Sequence, residues 1–404
     1  MPPTILQIVP SLDTGGAELS AVEIAGAVTA AGARSLVLSQ GGRLVASLIE
    51  AGAEHVDFPA ATKNPARILW NAARLARMIV AERVSLVHAR SRAPAWSALL
   101  AARRTGVPFV TTYHGAYNES GPFKKAYNSV MARADVVIAN SAYTADLVRT
   151  RYGIAPERLT VIHRGVDAGQ FDRSAIAPER IARLRRRWGL PDGAPVILQP
   201  ARLTMWKGQG VLIEAVRQLA EAGRLGSAHV VLAGSEQGRT AYRDDLAAAI
   251  ATARLGGRVH LVGHVEDMPA AYAAADAVVI ASIEPEAFGR TAVEAQAMGC
   301  PVIATRLGAP PETILAAPAV PREATTGWLV APGDATALAG AIGEALGLSR
   351  EARDAMALRA RDHAASAFSL DAMRRATLIV YDRLLGTALV SRYRSAAPPF
   401  RDAT

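Results

Sequence analysis

Short runs of apolar residues recur along the first part of the chain, at residues 5–9, 35–39, 86–88, 109–113, 136–139 and 160–162. Between them lie alanine-rich stretches, among them 17–31, 66–81 and 93–103, whose apolar positions repeat at helical spacing. A strand covered on both faces reads as a continuous apolar run. Alternation of such runs with helices predicts right-handed βαβ units on a parallel sheet. From 167 to 195 the alternation stops: six arginines fall between Arg173 and Arg187, with three prolines and no strand pattern. It restarts at 196–199, and further strands are predicted at 230–233, 259–262, 277–281 and 302–305. Two doubly wound α/β halves joined by a charged linker are the simplest architecture. From 335 to 385 the pattern is helical only, and Phe368, Leu370, Met373, Thr377, Val380, Tyr381 and Leu384 form one apolar stripe. Beyond 387 a tail rich in Ser, Pro and Arg is expected to be loosely held.

Composition narrows the function classes. The 404 residues are half hydrophobic and one-fifth charged, which suits well-packed soluble domains. The net charge of +9 is almost all arginine, since only Lys63, Lys124, Lys125 and Lys207 are lysines. Such a balance favours anionic partners such as nucleotides, phosphates or an acidic membrane face. The charges are dispersed and no reading element for DNA or RNA accompanies them, so nucleic acid is not expected as a partner. One cysteine, Cys300, excludes an intramolecular disulfide and reads as a small buried hydrophobe. No metal cluster is expected from one cysteine and eight scattered histidines. Neither a signal-peptide core nor a membrane-spanning run is present, so the expected location is the cytoplasm, peripheral at the inner membrane face at most.

Ligands of parallel α/β sheets gather at the carboxyl ends of strands, and four loops there carry candidate chemistry. The first is Gly15-Gly16-Ala17-Glu18, ahead of a helix, where paired glycines and a helix N-terminus favour a phosphate. A plain tight turn is the other reading. The second runs from Gln199 to Gly208 and holds Arg202 and Lys207, a bidentate fork and a point charge able to clamp two phosphates. In the third, Glu284-Pro285-Glu286-Ala287-Phe288-Gly289-Arg290-Thr291-Ala292-Val293-Glu294, two carboxylates eight positions apart are expected to face one cleft. Carboxylates suit sugar hydroxyls, and the Phe288-Gly289 pair at the helix start offers backbone donors to an anion. The fourth, Thr111-Thr112-Tyr113-His114-Gly115, ends a strand with a histidine expected to face a cleft between the halves.

Together with Leu86-Val87-His88-Ala89-Arg90, Ala139-Asn140-Ser141, Val161-Ile162-His163-Arg164-Gly165-Val166-Asp167, Val231-Leu232-Ala233-Gly234, Gly299-Cys300-Pro301-Val302-Ile303-Ala304 and Thr326-Gly327-Trp328-Leu329-Val330, these loops resemble the retaining glycosyltransferases of family 4. Within it, the chain is similar to bacterial lipopolysaccharide and glycolipid-type enzymes. The resemblance covers nearly the whole chain. It implies the GT-B fold of two facing Rossmann-like domains, 1–175 on the acceptor side and 176–368 for the donor. A closing helix at 369–386 would return to the first domain, with a loose tail at 387–404. A UDP- or GDP-sugar would be the donor, and no cofactor or metal is implied. Gly15 and Gly16 would lie against the diphosphate; Arg202 and Lys207 would hold it and offset charge on the leaving group. Glu286 would bind sugar hydroxyls, Phe288 and Gly289 would present amides, Glu294 would bind the ribose, and His114 would contact the sugar near the reacting carbon. Two positions depart from the family pattern. Arg290, counted with the donor-binding residues, stands where an aliphatic residue is usual and would add charge beside the site, and Gly308-Ala309-Pro310-Pro311-Glu312 has alanine for a second glycine.

A nucleotide-sugar epimerase of similar fold is an alternative, and a catalytically silent sugar-nucleotide-binding module is another. A phosphorylase would need a lysine for pyridoxal phosphate, and Lys207 already has the phosphate-clamping reading. For the acceptor, the segment from Tyr113 to Asp135 sets Lys124 and Lys125 among Tyr117, Phe123, Tyr127, Met131 and Arg133. A basic, aromatic surface of this kind fits an anionic leaflet and a lipid-linked or glycan acceptor; an ordinary solvated helix and a soluble sugar acceptor fit the same residues.

Overall fold

The computed structural model describes residues 2–13, 15–117, 119, 121–238 and 240–396. It divides into two compact units, Met1–Arg164 with Asp371–Thr404, and Gly165–Leu370. The first unit is built on a seven-stranded sheet in the order β3-β2-β1-β4-β5-β6-β7. Its strands are β1 (Thr4–Ile8), β2 (Arg34–Ser39), β3 (Glu54–Asp57), β4 (Val84–Ala89), β5 (Phe109–Tyr113), β6 (Val136–Ala139) and β7 (Leu159–Val161). The second has six strands in the order β10-β9-β8-β11-β12-β13. They are β8 (Val196–Pro200), β9 (His229–Ala233), β10 (Val259–Gly263), β11 (Ala277–Ile280), β12 (Val302–Thr305) and β13 (Gly327–Val330). Every strand pair is parallel. Both sheets are therefore doubly wound, and each strand order reverses once, between β1 and β4 and between β8 and β11.

The apolar runs mark the buried strands well, because a strand buried on both faces excludes polar residues. β1, β6, β11 and β12 are buried at every position. β3 and β13 carry no such signal. Each is an edge strand; β3 exposes both its end residues, and β13 is only half covered at Trp328 and Leu329.

The charged stretch after 167 is not a linker. Phe171, Ile176, Leu184 and Trp188 are buried in the core of the second unit, around a helix at Pro178–Arg187. The arginines occupy the remaining faces of that helix and leave one apolar stripe inward. Residues 165–175, placed with the first half by the sequence, lie in the second unit. The two ends of the second unit run side by side: Val166 N donates to Phe368 O at 2.8 Å and Leu370 N donates to Val166 O at 3.0 Å. A Cβ on Gly165 would stand 2.3 Å from Leu370 Cα, so only glycine admits this approach.

The helix Leu370–Leu385 packs with the first unit from Asp371 onward. Met373, Thr377, Val380 and Tyr381 are buried, and the Tyr381 hydroxyl meets His88 Nδ1 at 2.7 Å. The tail beyond 387, expected to be loose, begins with an ordered helix at Leu389–Ala396. The Asp382 carboxylate caps it, accepting from Leu389 N at 2.6 Å and Val390 N at 3.0 Å, and Leu389 and Tyr393 are buried. Residues 397–404 lie outside the described residues. Among the described residues no helix is long and apolar enough to cross a membrane.

Candidate functional site

Two loops of the second unit interlock. The chain leaving β8 makes a 3₁₀ turn at Met205–Lys207 and passes through Gly208 at φ 70° into the helix Gln209–Glu221. A Cβ at Gly208 would stand 1.8 Å from the carbonyl oxygen of Ala281, at the end of β11, so neither the φ nor the space admits another residue. This close approach lets Ile283 N donate to Trp206 O at 2.8 Å, and it brings Lys207 onto the loop after β11.

There Lys207 Nζ lies 2.5 Å from Glu286 Oε1, and the Ser282 hydroxyl donates to the same oxygen at 2.5 Å. Glu286 is only 8% exposed. Its backbone is held against Gly308, where a Cβ would stand 2.2 Å from the Glu286 carbonyl oxygen. Glu286 N donates to Leu307 O at 3.2 Å, and Ala309 N donates to Glu286 O at 2.9 Å. The Gly308-Ala309 pair that departs from the family pattern is thus the clamp on the Glu286 backbone. Lys207 also sits over the Trp206 ring, 4.1 Å from its centroid. A carboxylate this buried is tolerable because it is both paired and hydrogen-bonded.

Arg202 stands in the same loop with its side chain exposed, and among the described residues it reaches only Gln237 Oε1, at 3.5 Å. Its backbone is fixed, since Gln209 Nε2 donates to Arg202 O at 2.9 Å. The loop holds an exposed guanidinium on a rigid base.

Phe288, Gly289, Arg290 and Glu294 come next in the chain. The Phe288 side chain is core, set edge-on to Phe368 at 5.7 Å between centroids. Gly289, at φ 81°, starts the helix Arg290–Ala297, with no side-chain cap and with Ala292 N donating to Gly289 O at 2.9 Å. Glu294 accepts from the Tyr272 hydroxyl at 2.9 Å and pairs with Arg290 at 3.2 Å, one helical turn back. Burial and the adjacent Glu294 carboxylate push the Tyr272 phenol well above its ordinary value, so it stays a donor. The two carboxylates expected to share one cleft therefore have separate partner sets: Lys207 and Ser282 for Glu286, Tyr272 and Arg290 for Glu294. Sequence reasoning missed Ser282 and Tyr272. Ser282 had a faint signal, a hydroxyl four positions before Glu286 at a strand end; Tyr272 arrives from a distant helix and had none.

The remaining candidates lie in the first unit. Gly15 is the cap of the helix Gly16–Ala30, in extended backbone that any residue adopts; a Cβ there would meet only the flexible Glu18 carboxylate. His114 sits just past β5, with Nε2 3.5 Å from Arg164 Nη2 and a buried Nδ1 that has no hydrogen-bond partner. Beside it runs a polar chain that the sequence did not disclose. His88 is fully buried and bridges the Tyr381 hydroxyl and the Thr112 hydroxyl, each at 2.7 Å. Arg90 Nε donates to Gln7 Oε1 at 2.6 Å. Burial, with Arg90 and Arg164 nearby, holds His88 well below its ordinary pKa, so it is a neutral linker and not a proton carrier.

Lys124 and Lys125 are exposed on the short helix Pro122–Asn128, next to Phe123, which is 92% exposed. The other aromatics of that segment turn inward. Tyr117 lies beneath the Arg92 guanidinium, 3.9 Å from the ring centroid, and Tyr127 is half-buried with an enclosed hydroxyl. The amphipathic surface expected there shrinks to Phe123, the two lysines and Arg133, whose guanidinium lies 5.3 Å from the Trp96 ring centroid.

Comparison with known proteins fits this geometry. Residues 14–170 match the model of Glycosyltransferase Family 4, and residues 180–363 match that of Glycosyl transferases group 1. The crystal structure of a glycosyltransferase from Rickettsia africae is 35% identical and superimposes with a TM-score of 0.85, covering 96% of this chain and 100% of that one. Anabaena HepE, solved in complex with UDP-glucose, is 25% identical with a TM-score of 0.80 over 94% of this chain and 99% of its own. A 2-deoxystreptamine glucosyltransferase of Streptomyces kanamyceticus is 29% identical over 339 residues, 78% of this chain and 83% of that protein.

Proposed function

We propose, from the premise that this chain belongs to the family 4 glycosyltransferases, that it moves a hexose from a UDP-sugar to an acceptor hydroxyl with retention of configuration and without a metal. The observation that carries the reading is the Lys207–Glu286–Ser282 cluster, whose lysine shares its loop with the exposed Arg202. Two cations on one loop suit a diphosphate, and the buried carboxylate paired with one of them suits sugar hydroxyls. UDP is preferred because HepE, a quarter identical over nearly the whole chain, was solved with UDP-glucose.

The chemistry rests on these charges. As the bond from the anomeric carbon to the phosphate oxygen breaks, negative charge grows on the diphosphate, and Arg202 and Lys207 offset it as preorganised cations. The acceptor hydroxyl attacks from the face being vacated, and its proton passes to the departing phosphate oxygen. Lys207 and Glu286 compensate one another while the site is empty, so donor binding exchanges partners. Lys207 turns to phosphate and Glu286 to hydroxyls, and neither charge is left buried alone. Glu294 takes the ribose. Gly15, Gly16 and His114 keep their proposed parts in donor binding on the family resemblance.

Incubation with UDP-glucose, UDP-galactose and GDP-mannose plus a membrane extract, then NMR of the product, tests this directly. The anomeric configuration of the donor is expected in the product, and EDTA is expected to leave the rate within about twofold, since the cations supply what Mg²⁺ would. An inverted product, or EDTA inactivation that Mg²⁺ or Mn²⁺ reverses, would overturn the corresponding part.

For the acceptor, the exposed Phe123, Lys124 and Lys125 favour a glycolipid of lipopolysaccharide type presented on an anionic leaflet. The similarity to a 2-deoxystreptamine glucosyltransferase favours a second reading, a small soluble cyclitol or sugar. Reversal of both lysines, Lys124→Glu with Lys125→Glu, separates the two. Under the first reading, binding to anionic vesicles falls by about tenfold or more at low salt and converges with wild type at high salt. Equal co-sedimentation at low salt would select the soluble acceptor.

A further inference from the structure

The first unit carries a groove of about 500 Å³ that none of the donor or acceptor candidates lines. It opens off the carboxyl ends of β2 and β3, at Gln40 and Pro59, ahead of the helix Pro65–Ala81. That edge of a parallel sheet is where ligands collect, and the volume falls in the range of about 300–1,000 Å³ typical of small-molecule sites. One wall is the indole of Trp70, 56% exposed, an unusual amount of bare aromatic surface for a residue so close to a sheet edge. The indole is not loose: the Arg74 guanidinium lies 5.8 Å from its centroid and 5.2 Å from that of the buried Phe58, which steadies the ring.

The rim is polar. Gln40, Thr62 and Arg67 line it, and Asn71 lies at the wall, 1% exposed. Asn71 Nδ2 donates to Pro59 O at 2.8 Å, and its Oδ1 has no partner. A buried amide oxygen left unmatched is costly, and a ligand hydroxyl that reaches the wall relieves it.

A flat aromatic face opposed by amide, hydroxyl and guanidinium groups has a particular complement. A pyranose ring presents C–H groups on one face and hydroxyls around its edge, each both donor and acceptor. A lipid chain would leave the polar rim unmatched, and a nucleotide would find a single rim cation for its phosphates. We propose that this groove is a subsite for one sugar ring of the acceptor glycan, with Trp70 as its stacking platform. The identification of the ring as acceptor rests on the proposed transfer reaction; the groove's affinity for a sugar does not.

The experiment uses the full chain with its five tryptophans replaced by 5-fluorotryptophan. The ¹⁹F line missing in Trp70→Phe identifies Trp70. Titration with methyl α-D-glucopyranoside, methyl α-D-mannopyranoside and methyl α-D-galactopyranoside to about 0.1 M, with no donor present, is expected to shift that line saturably for at least one sugar, leaving the other four in place. Thr62→Val and Gln40→Ala are expected to weaken that binding by about three- to tenfold, each removing one polar partner. These residues lie at the surface, so a retained melting temperature shows that the loss is not unfolding. A Trp70 line unmoved by all three sugars overturns the subsite. So does a line that responds only to anionic vesicles, which would make Trp70, with its exposed neighbour Leu69, an interfacial anchor. Because no donor is present, failure here leaves the transfer reading standing. Failure of transfer, read separately by the donor assay, leaves the titration valid.

Discussion

Arg202→Ala is expected to lower kcat/KM for the sugar nucleotide by about 10²–10³-fold while the melting temperature stays close to that of the parent chain. On the proposed role, the loss of rate follows from removing one preorganised donor from the oxygen where charge develops. The retained stability comes from structure. The guanidinium is exposed, with Gln237 at 3.5 Å its one hydrogen-bond partner among the described residues, and the loop it springs from is tied through its backbone to Gln209. Surface substitutions of this kind shift stability by a few tenths of a kcal/mol, within about ±0.5. Arg202→Lys should recover only part of the loss, because a point charge cannot grip two oxygens in a plane. Steady-state rates with both variants decide the matter, and activity within twofold of the parent for Arg202→Ala removes this residue from the donor site.

The second large effect concerns Lys207 and Glu286, which cannot be treated as two separate positions. Their side chains are 18% and 10% exposed, and Glu286 Oε1 is shared with Ser282. Removing either partner strands the other in a largely dry site. Lys207→Ala and Glu286→Ala are therefore each expected to cost about 3 kcal/mol of stability in addition to a rate loss of at least about 10²-fold. The double variant should be more stable than the sum of the singles predicts, by about 1–3 kcal/mol of coupling, because no uncompensated charge remains. Its turnover should stay as low as that of the worse single variant, since the phosphate contact and the hydroxyl contact are both absent. Glu286→Gln isolates the two roles: Ser282 keeps its acceptor, yet Lys207 loses its countercharge. Urea unfolding of the parent and the four variants, set beside their turnover, tests this. Strict additivity in stability would mean that the two side chains do not form a compensating pair.

Glycines explain why the second unit can assemble this cluster at all. At Gly208 and Gly308 the chain passes within contact distance of another backbone, the Ala281 carbonyl in one case and Glu286 in the other. Both have positive φ, and both are the points where one loop is pressed onto the next. Gly234 does the same against the carbonyl of Ala201, one residue before Arg202. These positions do no chemistry. They set how close the loops after β8, β9, β11 and β12 come, and so decide which side chains meet.

Much of this protein was present in its sequence. Runs such as 109–113, 136–139 and 302–305 coincide with strands because burial on both faces forbids polar residues there, and that constraint is local and periodic. The family is equally legible, since loops at strand ends keep their order and spacing whatever surrounds them. Lys207 and Glu286 stood out as candidates for the same reason.

Tertiary structure decided the rest. β3 lacks the double burial that writes a pattern, so only its pairing with β2 reveals it. The arginine-rich segment after 167 looked like a linker because its charges dominate its composition; a narrow stripe through Leu184 and Trp188 made it core. The pairing of Lys207 with Glu286 spans 79 positions, and that of His88 with Tyr381 spans 293. Periodicity reports which face of an element is buried, not what covers it. Partners that far apart in the chain are chosen by strand order and by backbone approach at glycine, and neither quantity is written at the positions that meet.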